Sequence, residues 1–244
     1  MPKYAANLTL LFQEYPLLER FGAAKAAGFE AVEILFPYDV PAPEILDRLA
    51  ILNMPLVMMS CPPPNYTGGD RGYAAMPDRV ERFRHDFRRS ARYAKALGAK
   101  FLHVMAGPAS GPEAHATFVE NLRWACDFAP AQQLLIEPMG PANMPDYFLN
   151  DFDQALAIID EVGAKNLHLQ FDTYQAAQLG DVQALWAKVR AKVAHVQVGG
   201  MPDRAEPVGH VAFLKQLDAD GYTGWVSAEY RPAADTVKGL GWRV

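Results

Sequence analysis

The 244-residue sequence predicts an α/β fold, a single (β/α)8 TIM barrel, on three observations. Eight short apolar segments of strand character alternate with segments of helical periodicity. The repeat is about 30 residues, the length of one βα unit, which favours parallel pairing. No Gly-rich phosphate loop follows the first strand, where "NLTLLFQEYP" stands instead of a dinucleotide fingerprint, so an open doubly wound sheet ranks second.

Taken in order, the strands are expected at 4–10 ("YAANLTL"), 31–36 ("AVEILF"), 55–60 ("PLVMMS") and 100–106 ("KFLHVMA"). The remaining four fall at 133–137 ("QLLIE"), 167–172 ("LHLQFD"), 194–199 ("AHVQVG") and 224–230 ("GWVSAEY"). Between the third and fourth, Val80, Phe83, Phe87, Ala91, Ala94 and Leu97 recur three or four apart, which predicts a helix over 80–97. Gly98 then supplies the residue that ends it, and Gly28 and Gly163 stand in equivalent places. The Pro-rich "CPPPNYTGG" at 61–69 reads as a loop after the third strand. With no linker or low-complexity stretch, residues 1–244 read as one domain.

Composition narrows the function. Half of the residues are apolar, 21% are charged, and 23 basic residues against 28 acidic ones leave a net charge of −5. That balance argues against a nucleic-acid or anionic-membrane binder. Cys61 and Cys126 lie far apart in no metal-type spacing, so neither a disulfide framework nor a zinc site is indicated. The N-terminus lacks a signal-peptide pattern and no apolar run spans a membrane, so a cytoplasmic enzyme is the expectation. The sequence does not fix the oligomeric state and allows a homo-oligomer.

In such a barrel the functional groups gather at the C-terminal ends of the strands. Four polar residues fall there: Glu137, Asp172, Gln197 and Glu229, separated by 35, 25 and 32 residues, each near one βα unit. Any one of them alone would read as a helix cap or ion-pair partner. Together they place three carboxylates at one mouth, where they cannot all stay ionised without a compensating charge. A divalent cation is the simplest solution, and an oxygen-only donor set suits Mg²⁺ or Mn²⁺.

The blocks "YAANLTLLFQEYPLLERF", "GFEAVEILFPYD", "LIEP", "LQFDTY", "HVQVGGMPDRAEP" and "GYTGWVSAEYRP" resemble the hydroxypyruvate isomerase family, nearly end to end. That family is a branch of the xylose-isomerase-like barrels and includes 2-oxo-tetronate isomerases. "HVMAG", "PDYFLN", "MPDR" and "GLGW" lean towards the latter. The resemblance implies a divalent metal held by Glu137, Asp172, Gln197 and Glu229, with Glu137 and Glu229 doubling as the acid/base pair. The implied chemistry is aldose–ketose interconversion of a small hydroxy-keto acid through an enediolate, hydroxypyruvate to tartronate semialdehyde or a 2-oxo-tetronate. Arg204 is the family-matched partner for a substrate carboxylate, its planar fork suiting that group. Pairing with Glu206 or Asp203 is its alternative role.

Glu206, Gln175 and His103 complete the expected substrate contacts, although His103 also fits a packed position. Glu33, ending the second strand, either orients a ligand or anchors a loop. His195 reads as structural, at the strand end away from the chemistry, and Arg231 as a surface pair. The arginines at 79, 82, 84, 88, 89 and 92 read as a solvated helix face.

Three departures from the family surround the pocket. Gln175 stands where relatives carry a His, and an amide cannot carry a proton at neutral pH. Ser60, Pro64 and Asn65 replace a polar and Gly pattern after the third strand. The loop in "EPVGHVAFLKQL" is shorter, with His210 near where an acid is expected. None removes a proposed metal ligand. A sugar epimerase or isomerase using the same site, and a barrel that binds ligand without catalysis, are the competing readings.

Overall fold

The computed structural model describes residues 2–62, 69–142 and 144–243; Pro64 and Asn65 lie outside them. Strands β1 (Lys3–Asn7), β2 (Ala31–Glu33), β3 (Met58–Cys61) and β4 (Phe101–Val104) are followed by β5 (Gln133–Ile136), β6 (Leu167–Asp172), β7 (Val193–Val198) and β8 (Trp225–Ala228). All pair in parallel, in the order β2-β1-β8-β7-β6-β5-β4-β3. A bridge between Val32 and Leu56, with Val57 N donating to Val32 O at 2.8 Å, joins the two edges into a nearly closed barrel. Several strands are shorter than their apolar runs. After β1, for example, Asn7 Oδ1 accepts from Thr9 N (3.0 Å) and turns the chain out of the sheet.

Helices α1 (Leu17–Ala26), α2 (Ala42–Leu52), α3 (Val80–Leu97), α4 (Gly111–Phe128) and α5 (Phe152–Val162) lie between successive strands. The β6–β7 connection holds two short helices, α6 (Thr173–Leu179) and α7 (Val182–Val189), and α8 (Val211–Ala219) leads into β8. Among the described residues after β8, a 3₁₀ turn, Thr236–Gly239, stands where a helix would complete the last βα unit. Helix α3 has the bounds its periodicity predicts, and Gly98 ends it at φ 64°, where any Cβ would be strained. Its arginines at 79, 82, 88, 89 and 92 are exposed, as expected of a solvated face, while Arg82 lies over the Tyr73 ring and Arg84 and Arg88 lie over Trp124. The guanidinium planes cover aromatic surface there while their charge stays near water.

The core has two parts. Ala5, Ala31, Val57, Met58, Phe101 and Leu135 form a compact cluster in which small and large side chains alternate. A far larger cluster runs between the sheet and the helices. Its β6 sector is aromatic, with Phe171 within 5.4 Å of Phe152, 5.5 Å of Trp186 and 5.7 Å of Phe213, ring centre to ring centre. Among the described residues no helix is long and apolar enough to cross a membrane.

This packing makes Phe171, fully buried, a sensitive point in the strand that carries Asp172. Phe171→Ala is expected to cost about 3–5 kcal/mol of unfolding free energy. The fall in urea midpoint measures it, and a loss below about 1 kcal/mol would contradict this account of the core.

Candidate active site

Strand register brings the predicted residues to one end of the barrel. Asp172 closes β6 and pairs directly with Gln197 of β7, which pairs with Ser227 of β8. Glu137 follows β5, and Glu229 follows β8 with its N–H donating to Val198 O at 3.0 Å. The β6–β7 register slips by one residue between Leu169 and Gln170, so that Leu169 faces Val193 while Gln170 faces His195. That irregularity sets the phase in which Gln170 and Asp172 stand beside His195 and Gln197.

Asp172 is shared between two tasks. It caps α6, its Oδ1 accepting from Tyr174 N at 3.0 Å. Its Oδ2 lies 2.6 Å from Arg204 Nη2. Arg204 Nη1 lies 3.2 Å from Glu229 Oε1 and donates to the Glu229 carbonyl at 3.3 Å. The guanidinium also stacks 4.7 Å from the Tyr174 ring centre. Arg204 is thus the cation between two of the predicted ligands, and pairing with Glu206 or Asp203 is not its role.

The loop that delivers Arg204 is unusual. Gly200 and Ala205 exchange two backbone hydrogen bonds (2.7 and 2.9 Å), closing a tight turn over "MPDR". Inside it Asp203 and Arg204 both take φ 57°, a left-handed conformation that costs energy for residues with a Cβ. At Gly199, where this loop leaves β7, a Cβ would come within 2.7 Å of the Glu229 carbonyl. Glycine therefore allows the close approach that brings Arg204 over Glu229.

Glu137 is less well supplied. Its Oε1 is buried with no hydrogen-bond partner, and its Oε2 lies 3.8 Å from His103 Nε2, itself buried and unbonded. Glu229 Oε2 is likewise buried and unpartnered. Burial pushes the Glu137 carboxyl well above the usual range, and repulsion from Asp172 and Glu229 adds to it. Glu229 is also pushed well up by burial, against the opposing pull of Arg204. Asp172 is raised by burial too, with Arg204 again opposing. The guanidinium is held in its charged form because the carboxylates outweigh the cost of its own burial. Burial, assisted by His195, lowers His103 to about 3, so this imidazole is neutral at neutral pH.

Below these groups lies a buried polar layer. Glu33 Oε1 accepts from Asn7 Nδ2 and from Gln197 Nε2, each at 2.6 Å, and Glu33 Oε2 lies 2.6 Å from His195 Nε2. Gln170 Nε2 donates to Gln197 Oε1 at 2.7 Å. The reading of His195 as remote from the chemistry is corrected here: it is fully buried and bonded to Glu33, two residues before Gln197 on the same strand. Glu33 anchors side chains rather than a loop.

Gln175 and Glu206 have structural duties instead of meeting the carboxylates. Gln175 Oε1 accepts from Gly140 N at 2.8 Å and fixes the segment after β5. Glu206 Oε1 accepts from Ala233 N at 2.7 Å and ties its loop to the segment after β8. His210 lies in a 3₁₀ turn, Val208–His210, with its Nδ1 buried and unbonded. Asn7, Gln170 and Tyr174 were missed by reading strand ends alone. The signal for Gln170 and His195 was available: a residue two before a strand-end ligand points to the same side.

Among the described residues no three His, Cys, Asp or Glu side chains are already arranged to hold a metal ion. Arg204, standing between Asp172 and Glu229, accounts for this. The donor chemistry nonetheless fits a hard divalent cation, because the unpartnered Glu137 and Glu229 oxygens are buried acceptors facing an excess of negative charge.

A parallel βα barrel with a carboxylate cluster at the C-terminal mouth defines a class, and the family model of xylose isomerase-like TIM barrels matches residues 21–243. A 2-oxo-tetronate isomerase from Cupriavidus necator is 43% identical, over 99% of this chain and 97% of its own. The hydroxypyruvate isomerase of Escherichia coli is 36% identical, over 99% and 98%. A crystal structure from Brucella melitensis, described as an AP endonuclease of family 2, superposes with a TM-score of 0.94 at 38% identity, covering 99% of this chain and 98% of that one. The chain belongs to the family of isomerases that contains the hydroxypyruvate and 2-oxo-tetronate isomerases.

The raised carboxyls link stability to pH. A carboxyl whose folded pKa exceeds its unfolded value stabilises the fold fully below the unfolded pKa, and that contribution is lost as pH rises through the folded pKa. Metal-stripped protein should therefore lose thermal stability as pH rises above the ordinary carboxylate range. Glu137→Gln should flatten this profile and raise the melting temperature at its alkaline end; an unchanged profile would contradict the charge account.

Proposed function

We propose that this protein is a divalent-metal-dependent isomerase that interconverts the aldose and ketose forms of a small hydroxy-keto acid. Hydroxypyruvate and its isomer tartronate semialdehyde are one candidate pair, and a 2-oxo-tetronate is the other. The observation that carries the reading is the buried trio Glu137, Asp172 and Glu229, of which Asp172 and Glu229 pair with the guanidinium of Arg204. The full-length likeness to the Cupriavidus necator and Escherichia coli enzymes supports the reaction class.

Glu137, Asp172 and Glu229 would hold Mg²⁺ or Mn²⁺, joined by the second lone pair of Gln197 Oε1. Bound there, the cation would neutralise the excess negative charge and polarise the substrate's carbonyl and neighbouring hydroxyl oxygens. Glu137 and Glu229 perform the proton transfers. One takes the proton from the carbon beside the carbonyl, giving an enediolate, and the other delivers a proton to the former carbonyl carbon. The hydroxyl proton moves across to the former carbonyl oxygen, so the product is an isomer with no net gain or loss.

Arg204 holds the substrate's carboxylate once its present partners are engaged by the cation, and Tyr174 supports the plane of its guanidinium. His103, neutral and unbonded beside Glu137, donates or accepts one hydrogen bond without adding charge.

Proton NMR in deuterated buffer tests the reading. With Mn²⁺ or Mg²⁺ the enzyme should move solvent deuterium onto the carbon beside the carbonyl of hydroxypyruvate or a 2-oxo-tetronate. Stripping with a chelator should stop exchange and added metal restore it. Glu229→Gln should lower turnover by about 10²–10⁴-fold while the fold persists. Absence of exchange across keto acids, ketoses and aldoses would refute the proposal. Arg204→Gln should raise KM for carboxylate-bearing substrates and leave the affinity for a neutral ketose unchanged; equal losses for both would deny it the role of carboxylate partner.

A further inference from the structure

Glu33 takes no part in the proton transfers, yet it is wholly buried and accepts three short side-chain hydrogen bonds. It sits at the end of β2, across from Asn7 in the strand register. Its significance lies in the kind of group it is. An ionised carboxylate only accepts, whereas the amides of Gln197 and Gln170 each have a donating and an accepting end.

The chain of bonds has a single direction. Gln197 must turn its NH₂ group to Glu33, so its carbonyl oxygen is the end left over, and Gln170 must then offer NH₂ to that oxygen. The far end of the chain is Gln170 Oε1, a buried acceptor with no partner. Reversing both amides would replace that orphan with a donor, but it would set the Gln197 oxygen against the Glu33 carboxylate. The direction is therefore imposed from the Glu33 end, at the expense of an unsatisfied atom at the other.

We infer that Glu33 is a positioning residue that fixes the amide sense of Gln197, so that oxygen rather than NH₂ is the end available beside Asp172. Asn7 and His195 hold the Glu33 carboxylate in place for this task, one on each oxygen. A glutamine serves as an oxygen ligand only if its amide cannot turn over, and here a buried carboxylate three strands away in sheet order secures that. The inference rests on the reading of Glu137, Asp172, Gln197 and Glu229 as a cation site.

The test is a double-mutant cycle read as Mn²⁺ affinity, from the electron paramagnetic resonance signal of free Mn²⁺. Glu33→Gln keeps the size of the side chain but removes the obligatory acceptor, and should weaken Mn²⁺ binding by about tenfold. In a Gln197→Ala background the same change should have at most a small effect, since no amide remains to be oriented. Glu33→Asp, which keeps an acceptor-only group, should retain more affinity than Glu33→Gln and serves as the second variant if Glu33→Gln does not fold. Thermal melting of each variant separates loss of fold from loss of binding. Equal losses of affinity in both backgrounds, or an unaltered affinity in Glu33→Gln, would overturn the inference while leaving the cation site intact. Failure of the unmodified protein to bind Mn²⁺ would overturn both.

Discussion

Three carboxylates packed beside one guanidinium, out of reach of water, set the terms for the rest of this structure. Moving a carboxylate from water into such surroundings is unfavourable unless a partner compensates it, and removing one partner of a buried pair leaves the other stranded. Arg204 compensates Asp172 and Glu229 directly, and Glu137 is left with no direct cationic partner. Burial raises all three carboxyls, and Arg204 opposes that rise. The buried, unpartnered oxygens of Glu137 and Glu229 are the observation on which the proposed cation site rests.

The barrel answers this demand with layers. Small apolar side chains and Phe101 fill one part of the interior. Asn7, Glu33, Gln170 and His195 form a polar layer in which Asn7 and His195 bond to Glu33, and Gln197 links Glu33 to Gln170. The carboxylates stand beyond it. The polar layer gives Gln197 a definite orientation, which a purely aliphatic core could not do, because apolar contacts do not distinguish the two ends of an amide.

Much of this was legible in the sequence. The eight strands followed from apolar runs and their spacing, and α3 from the recurrence of Val80, Phe83, Phe87 and Leu97 with Gly98 behind it. Glu137, Asp172, Gln197 and Glu229 followed from their place at strand ends. What could not be read was where a long side chain turns. Gln175 and Glu206, expected to contact substrate, bond to backbone N–H groups of distant segments, and no local pattern announces a partner 35 or 27 residues away. The lack of an α-helix after β8 among the described residues was equally hidden, since the stretch there has neither helical periodicity nor a clear stop. His195 was misplaced because distance from the strand end was weighed and side-chain alternation was not.

The 3₁₀ segment after β8 reaches back to the opposite end of the chain. Thr236 Oγ1 accepts from Phe12 N at 2.8 Å, Trp242 meets Tyr4 edge to face at 5.5 Å, and Arg243 stacks on Phe29 and donates to Ala27 O at 2.9 Å. A ribosome makes the two halves of this clasp more than 200 residues apart. The first βα unit therefore emerges with one flank of its strand bare, and that flank stays unpaired until nearly the whole ring has been synthesised. Contacts of such long sequence separation are slow to form. The newborn first unit is thus the part of this barrel that most needs shielding from neighbouring chains.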